Sequence, residues 1–71
     1  MTRDEHLAWA KARALEYLDR GDIREAVASM LSDLSKHPDL KGSGDAAGPL
    51  GLAAIMSGST LVVRGFIEGF R

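Results

Sequence analysis

The segment ALEYLDRGDIREAVASMLSDL, residues 14–34, holds two helical patterns that meet with no linker between them. The first stops at Gly21, a residue type that adopts the left-handed conformation with which many helices end. The second begins at Asp22, which with Glu25 three positions on has the form of a capping box. From there Ile23, Ala26, Val27, Met30, Leu31 and Leu34 recur at i, i+3, i+4, i+7, i+8 and i+11, the apolar face of an α-helix. Two residues of punctuation predict a helical hairpin, and the remaining chain is read as what covers it.

Toward the N-terminus, Thr2 and Glu5 form another capping box and predict a first helix over Arg3–Arg20. Asp4 and Glu5 sit where the helix dipole favours carboxylates, and Ala8, Ala10, Ala12 and Ala14 are strong helix formers. Leu7, Ala10, Ala14, Tyr17 and Leu18 share one face, with Leu15 at its edge. The second helix is predicted over Ile23–Lys36, closed by His37-Pro38 because proline disfavours the helical conformation of the residue before it. The hairpin thus spans 3–36. It looks like one tetratricopeptide unit, but such arrays need about three units and no second is present.

Gly42, Gly44, Gly48, Gly51 and the prolines at 38 and 49 predict a loop over 38–48. Pro49 suits the first position of a short helix over 49–57 ending at Gly58, and Ser59 suits the cap of another over 60–70. The expected fold is all-α: a helical hairpin plus two shorter C-terminal helices in a small bundle.

With 71 residues the chain makes one domain whose core alone is small. It has no cysteine, so association of copies is the remaining staple and a homo-oligomer is expected. A net charge of −1 lacks the cationic surplus that phosphate neutralisation needs, so no DNA binding is expected. No positive cluster precedes a long apolar run at the N-terminus, which points to a cytoplasmic protein. Ser57, Gly58, Ser59, Thr60 and Arg64 interrupt the apolar run of 49–67 short of the ~20 residues a bilayer span requires. Residues 1–41 hold seven Lys/Arg and eight Asp/Glu, whereas 42–71 hold only Arg64, Arg71, Asp45 and Glu68, so the second half is read as the part that is wrapped.

A few residues are hard to explain by this scheme. Trp9 lies away from the apolar stripe of its helix and calls for a cover, either the fourth helix or a second subunit; alternatively it stacks a planar ligand, with Arg13 one turn on supplying charge to a phosphate. Tyr17 is a second stacking candidate. Arg64 and Arg71 are the only cations of the second half; they pair with Glu68 and the C-terminal carboxylate, or receive an anion beside the bare backbone of Gly65 and Gly69. His6 reads as a solvated first-turn residue and His37 as a partner of a helix dipole. Neither has a second ligand at metal spacing, so no metal and no cofactor is expected. Ser29, Ser32, Asp33 and Lys36 read as a solvated face. A site assembled from Ser32, Asp33 and His37 lacks anything that orients a nucleophile, and no enzymatic activity is expected.

Met1-Thr2-Arg3 followed by acids, His6-Leu7 and Trp9, Ala14 to Leu18 before Gly21-Asp22, Ser29-Met30 with Ser32-Asp33-Leu34 and Lys36-His37-Pro38, and the ending Phe66 to Phe70 carry a resemblance. With these the chain resembles a family of short, mostly uncharacterised accessory proteins of tailed bacteriophages and prophages; the glycine-rich Gly42–Gly51 stretch departs from it. The resemblance implies an accessory protein rather than a catalyst or a shell component. Phage proteins of this size include counter-defence proteins that sequester nucleotide immune signals between subunits. The expectation is therefore a non-enzymatic binding protein, with Trp9 and Tyr17 for stacking and Arg13, Arg64 and Arg71 for phosphate. The alternative is an interaction module that docks a host or phage protein through the Trp9 face.

Overall fold

Thr2 and Glu5 open the first helix as predicted: the Glu5 amide donates to Thr2 Oγ1 at 3.1 Å and the Thr2 amide to Glu5 Oε1 at 3.0 Å. The Thr2 amide, and after it the Thr2 side chain, hold the Glu5 carboxyl below the usual glutamate range. In the computed structural model, which describes residues 1–71, this helix is α1, Arg3–Asp19. It ends in a Schellman turn, with Gly21 N–H on the Leu18 carbonyl at 2.9 Å and Asp22 N–H on the Tyr17 carbonyl at 3.0 Å. Gly21 has a φ of 80°, where a side chain would be strained. Then α2 runs Ile23–Ser35. Asp22 is its N-cap residue, but its side chain makes no capping bond, so the second capping box does not form. The turn already sets the Asp22 backbone at φ −95°, ψ 72°, outside the extended region from which a cap side chain reaches the third amide.

The largest departure from the sequence reading is α3. The predicted loop over 38–48 and the short helix over 49–57 are one helix, Pro38–Ser57. Pro38 occupies its first turn, Asp39 faces the positive end of its dipole, and His37 Nδ1 accepts from the Asp39 amide at 3.1 Å as the N-cap. Pro49 is an interior residue rather than a helix start. The buried residues are Leu40, Gly44, Ala47, Gly51 and Ala54, spaced alternately by four and three, which is the seam of a helix packed closely on another. A Cβ at Gly51 would stand 2.9 Å from Val27 Cγ1, 3.2 Å from Leu31 Cδ1 and 3.2 Å from Phe66 Cζ. Gly51, and Gly44 with a Cβ position 3.2 Å from Leu34 Cβ, are therefore demanded by tertiary approach, against a cost of about 1 kcal/mol each in helix propensity.

This contrast is testable. Gly51→Ala is expected to lose about 1–2 kcal/mol, because the overpacking cost outweighs the propensity gain and Val27 is too stiff to yield. Gly42→Ala, where a Cβ meets nothing within 4 Å, is expected to gain up to about 1 kcal/mol. Urea unfolding of the two variants checks both signs.

Gly58, with a φ of 66°, ends α3, and Ser59 caps α4, Thr60–Glu68, through its hydroxyl on the Val62 amide at 3.3 Å. The fourth helix is thus two residues shorter than predicted. The fold is all-helical. In it α2 lies between α1 and α3, which scarcely meet, and α4 packs over the three as a second layer. Between the layers lies a core of twelve residues: Leu7, Leu18, Val27, Met30, Leu34, Leu40, Val63, Ile67 and four alanines. Side chains of α1 hold α4 along one edge. Arg64 pairs with Asp19 at 3.3 Å, Lys11 Nζ donates to the Glu68 carbonyl at 3.2 Å, and Arg3 donates to the Arg71 carbonyl. No helix is long and apolar enough to cross a membrane.

Candidate functional site

Asp33 is the polar centre of the molecule, on α2 and only 1 % exposed. Its Oδ2 accepts from Arg13 Nε at 2.9 Å and, at a longer 3.5 Å, from the Ser29 hydroxyl, while Oδ1 accepts from Lys36 Nζ at 3.0 Å. A carboxylate is tolerated at such depth only with partners of this kind. The solvated α2 face of the sequence reading is corrected here, and the physical reason is register. In an antiparallel hairpin, residues equidistant from the turn face one another, so the stripe His6, Trp9, Arg13 of α1 closes over the stripe Ser29, Asp33, Lys36 of α2.

Trp9 is half-buried, and within the chain its cover comes from α1 and α2 side chains rather than from α4. The Arg13 guanidinium lies 5.0 Å from its ring centroid, the Lys36 ammonium 5.9 Å, and the His6 ring 5.1 Å at a 56° tilt. Such cation–π contacts contribute about 0.5–1 kcal/mol where solvent reaches them. His6 is not a solvated first-turn residue: it is buried, and its Nε2 donates to the Asp33 carbonyl at 2.6 Å, closing a carbonyl in the last turn of α2. Its ring stands 5.2 Å from that of His37. His37, in turn, acts as the acceptor cap of α3 rather than as a charge on the α2 dipole. The corner where α1, α2 and α3 meet is thus built from His6, Trp9, Asp33 and His37.

Beside this corner lies an open cleft of about 260 Å³ between α1 and α2, lined chiefly by Arg13, Tyr17, Ser29, Ser32, Asp33 and Lys36. Arg13 commits only its Nε to Asp33, so its two terminal amino groups remain for another acceptor. Two cations on one carboxylate leave a positive excess at this end. Glu25 also lines the cleft, but eight residues back along α2, a rise of about 12 Å. Arg20 covers the ring of Tyr17 at 4.9 Å. Guanidinium, ammonium and hydroxyl donors on one rim suit a phosphate or carboxylate group. The volume lies below the ~300–1,000 Å³ of pockets that enclose a drug-sized ligand and has room for one charged group.

Of the five residues singled out from the sequence, Trp9, Arg13 and Tyr17 share this neighbourhood. Arg64 and Arg71 do not join them. Arg64 pairs with Asp19 on α1 rather than with Glu68, and Arg71 lines a separate hollow with Arg3, Asp4, Leu7 and Lys11. The chain matches no protein-family model, no curated protein and no solved structure in comparisons with each.

Proposed function

We propose that this is a non-enzymatic binding protein that sequesters a small anionic, nucleotide-like ligand, with a phosphoryl or carboxylate group seated at Arg13 and Lys36. The observation that carries this is the way buried Asp33 holds both cations, Arg13 by Nε and Lys36 by Nζ, where the two side chains line the cleft. Donors locked before the ligand arrives lose little freedom on binding, which is the advantage of preorganisation. Ser29, Ser32 and Tyr17 complete the rim. Trp9 serves from beneath, orienting Arg13 and Lys36 through its ring rather than offering a stacking face. The resemblance to phage accessory proteins supplies the setting, in which a host nucleotide signal is withheld rather than turned over.

Titration calorimetry against inorganic phosphate, cyclic nucleotides and ADP-ribose tests this. Arg13→Ala is expected to weaken binding by about 10- to 100-fold, the worth of one to two charge-assisted hydrogen bonds, and Arg64→Ala is expected to leave it unchanged. A parent protein that binds none of these ligands, or an Arg13→Ala variant that binds like the parent, overturns the proposal.

A further inference from the structure

Apart from the α1–α2 cleft, α3 and the C-terminal segment carry a second unassigned surface, and it is apolar. Ala47 and Leu50 of α3 and Gly65, Phe66, Gly69 and Phe70 of the C-terminal segment line an open groove of about 270 Å³ with no charged residue in its wall. Phe66 and Phe70 meet edge to face at 5.2 Å and form one side of it. A Cβ at Gly65 would touch nothing within 4 Å, so an incoming surface can approach the backbone there. Leu50 is itself 66 % exposed, and one turn before Gly65 and Phe66 the fourth helix exposes Leu61 (80 %) and Val62 (48 %); Leu52 and Met56 are exposed on another side of α3.

Two quantities narrow the choice of occupant. The core holds eight large apolar side chains and four alanines, yet Leu50, Leu61 and Val62 at or beside the groove stay outside it. A chain this short needs that surface buried to gain stability. The second quantity is charge. Arg64, the one cation within α4, is drawn to the far edge by Asp19, so the groove offers nothing to steer or pair a charged amphipathic partner. In a two-fold contact each residue near the axis faces its own copy, so a charged face repels itself and an uncharged one does not.

We infer that a second copy of this chain covers the groove, the α3–α4 hairpins of the two subunits packing against each other about a two-fold axis. Leu50 is the central side chain of each half. The two Asp33 clefts, which share no lining residue with the groove, remain open to ligand.

Analytical ultracentrifugation of the full chain over the micromolar range is the test. The parent is expected to sediment at twice the chain mass. Leu50→Glu is expected to raise the dissociation constant of the pair by at least about 100-fold, the effect of removing a central anchor and setting two carboxylates face to face. Since Leu50 is largely exposed within one chain, helical circular dichroism is expected to stay unchanged. Because the chain has no cysteine, Leu50→Cys adds a second reading: oxidation is expected to link two chains through that position. A parent that is monomeric throughout, a Leu50→Glu variant that still pairs, or pairing abolished instead by Lys36→Glu overturns the inference.

Discussion

Asp33→Ala is expected to lower stability by about 2–3 kcal/mol, a fall of roughly 10–20 °C in Tm for a domain of this size. The carboxylate is the shared acceptor of Arg13, Lys36 and Ser29, and without it two cations are left beside one another over Trp9. The loss stays below the ~3–5 kcal/mol of a fully buried ion pair because Arg13 and Lys36 are half-exposed and turn to water. The bond from His6 goes to the main-chain carbonyl and survives the substitution, so the measurement isolates the side chain. Asp19→Ala is the control. It removes the exposed partner of Arg64 and is expected to change stability by less than about 0.5 kcal/mol. Thermal unfolding of both variants decides the matter: an Asp33→Ala protein as stable as the control would mean that the buried carboxylate holds nothing together.

Leu34→Ala is expected to be more damaging still, at about 3–4 kcal/mol. Leu34 is fully buried and lies against α3 where Gly44 presents bare backbone; a Cβ placed on Gly44 would stand 3.2 Å from Leu34 Cβ. Gly44 offers no side chain to collapse into a void opened there, which puts the cost in the upper half of the range for leucine truncations. Against a total of about 4–10 kcal/mol for a chain of this length, most of the cooperative transition is at stake. Urea denaturation followed by circular dichroism is the measurement. A midpoint within error of the parent would show that α2 and α3 do not pack as described.

Local punctuation is legible in the sequence. Thr2 with Glu5, Gly21 and Ser59 each act through backbone groups within a few residues, so their roles follow from sequence alone. What escaped were features decided by a distant partner. The glycines of α3 look like a loop until α2 is laid against them, and then Leu40, Gly44, Ala47, Gly51 and Ala54 read as a seam. Asp33 looks solvated until the hairpin is folded about Gly21. The signal for it was present in the spacing, since Trp9 and Arg13 on one arm stand as far from the turn as Asp33 and Ser29 on the other. Arg64 and Arg71 were singled out for being rare cations, but rarity says nothing of the neighbour, and Asp19 lies 45 residues away in the chain.

The fastening of α4 along α1 also fixes how the molecule responds to force. Arg3 holds the Arg71 carbonyl, so the first and last helices begin and end side by side. Tension applied between the two ends of the chain does not shear the core as a whole. It opens the Arg3, Lys11 and Asp19 contacts one after another, lifting α4 away like tape from a surface. Peeling loads a single bond at a time, so this molecule yields to a gentle pull in that direction.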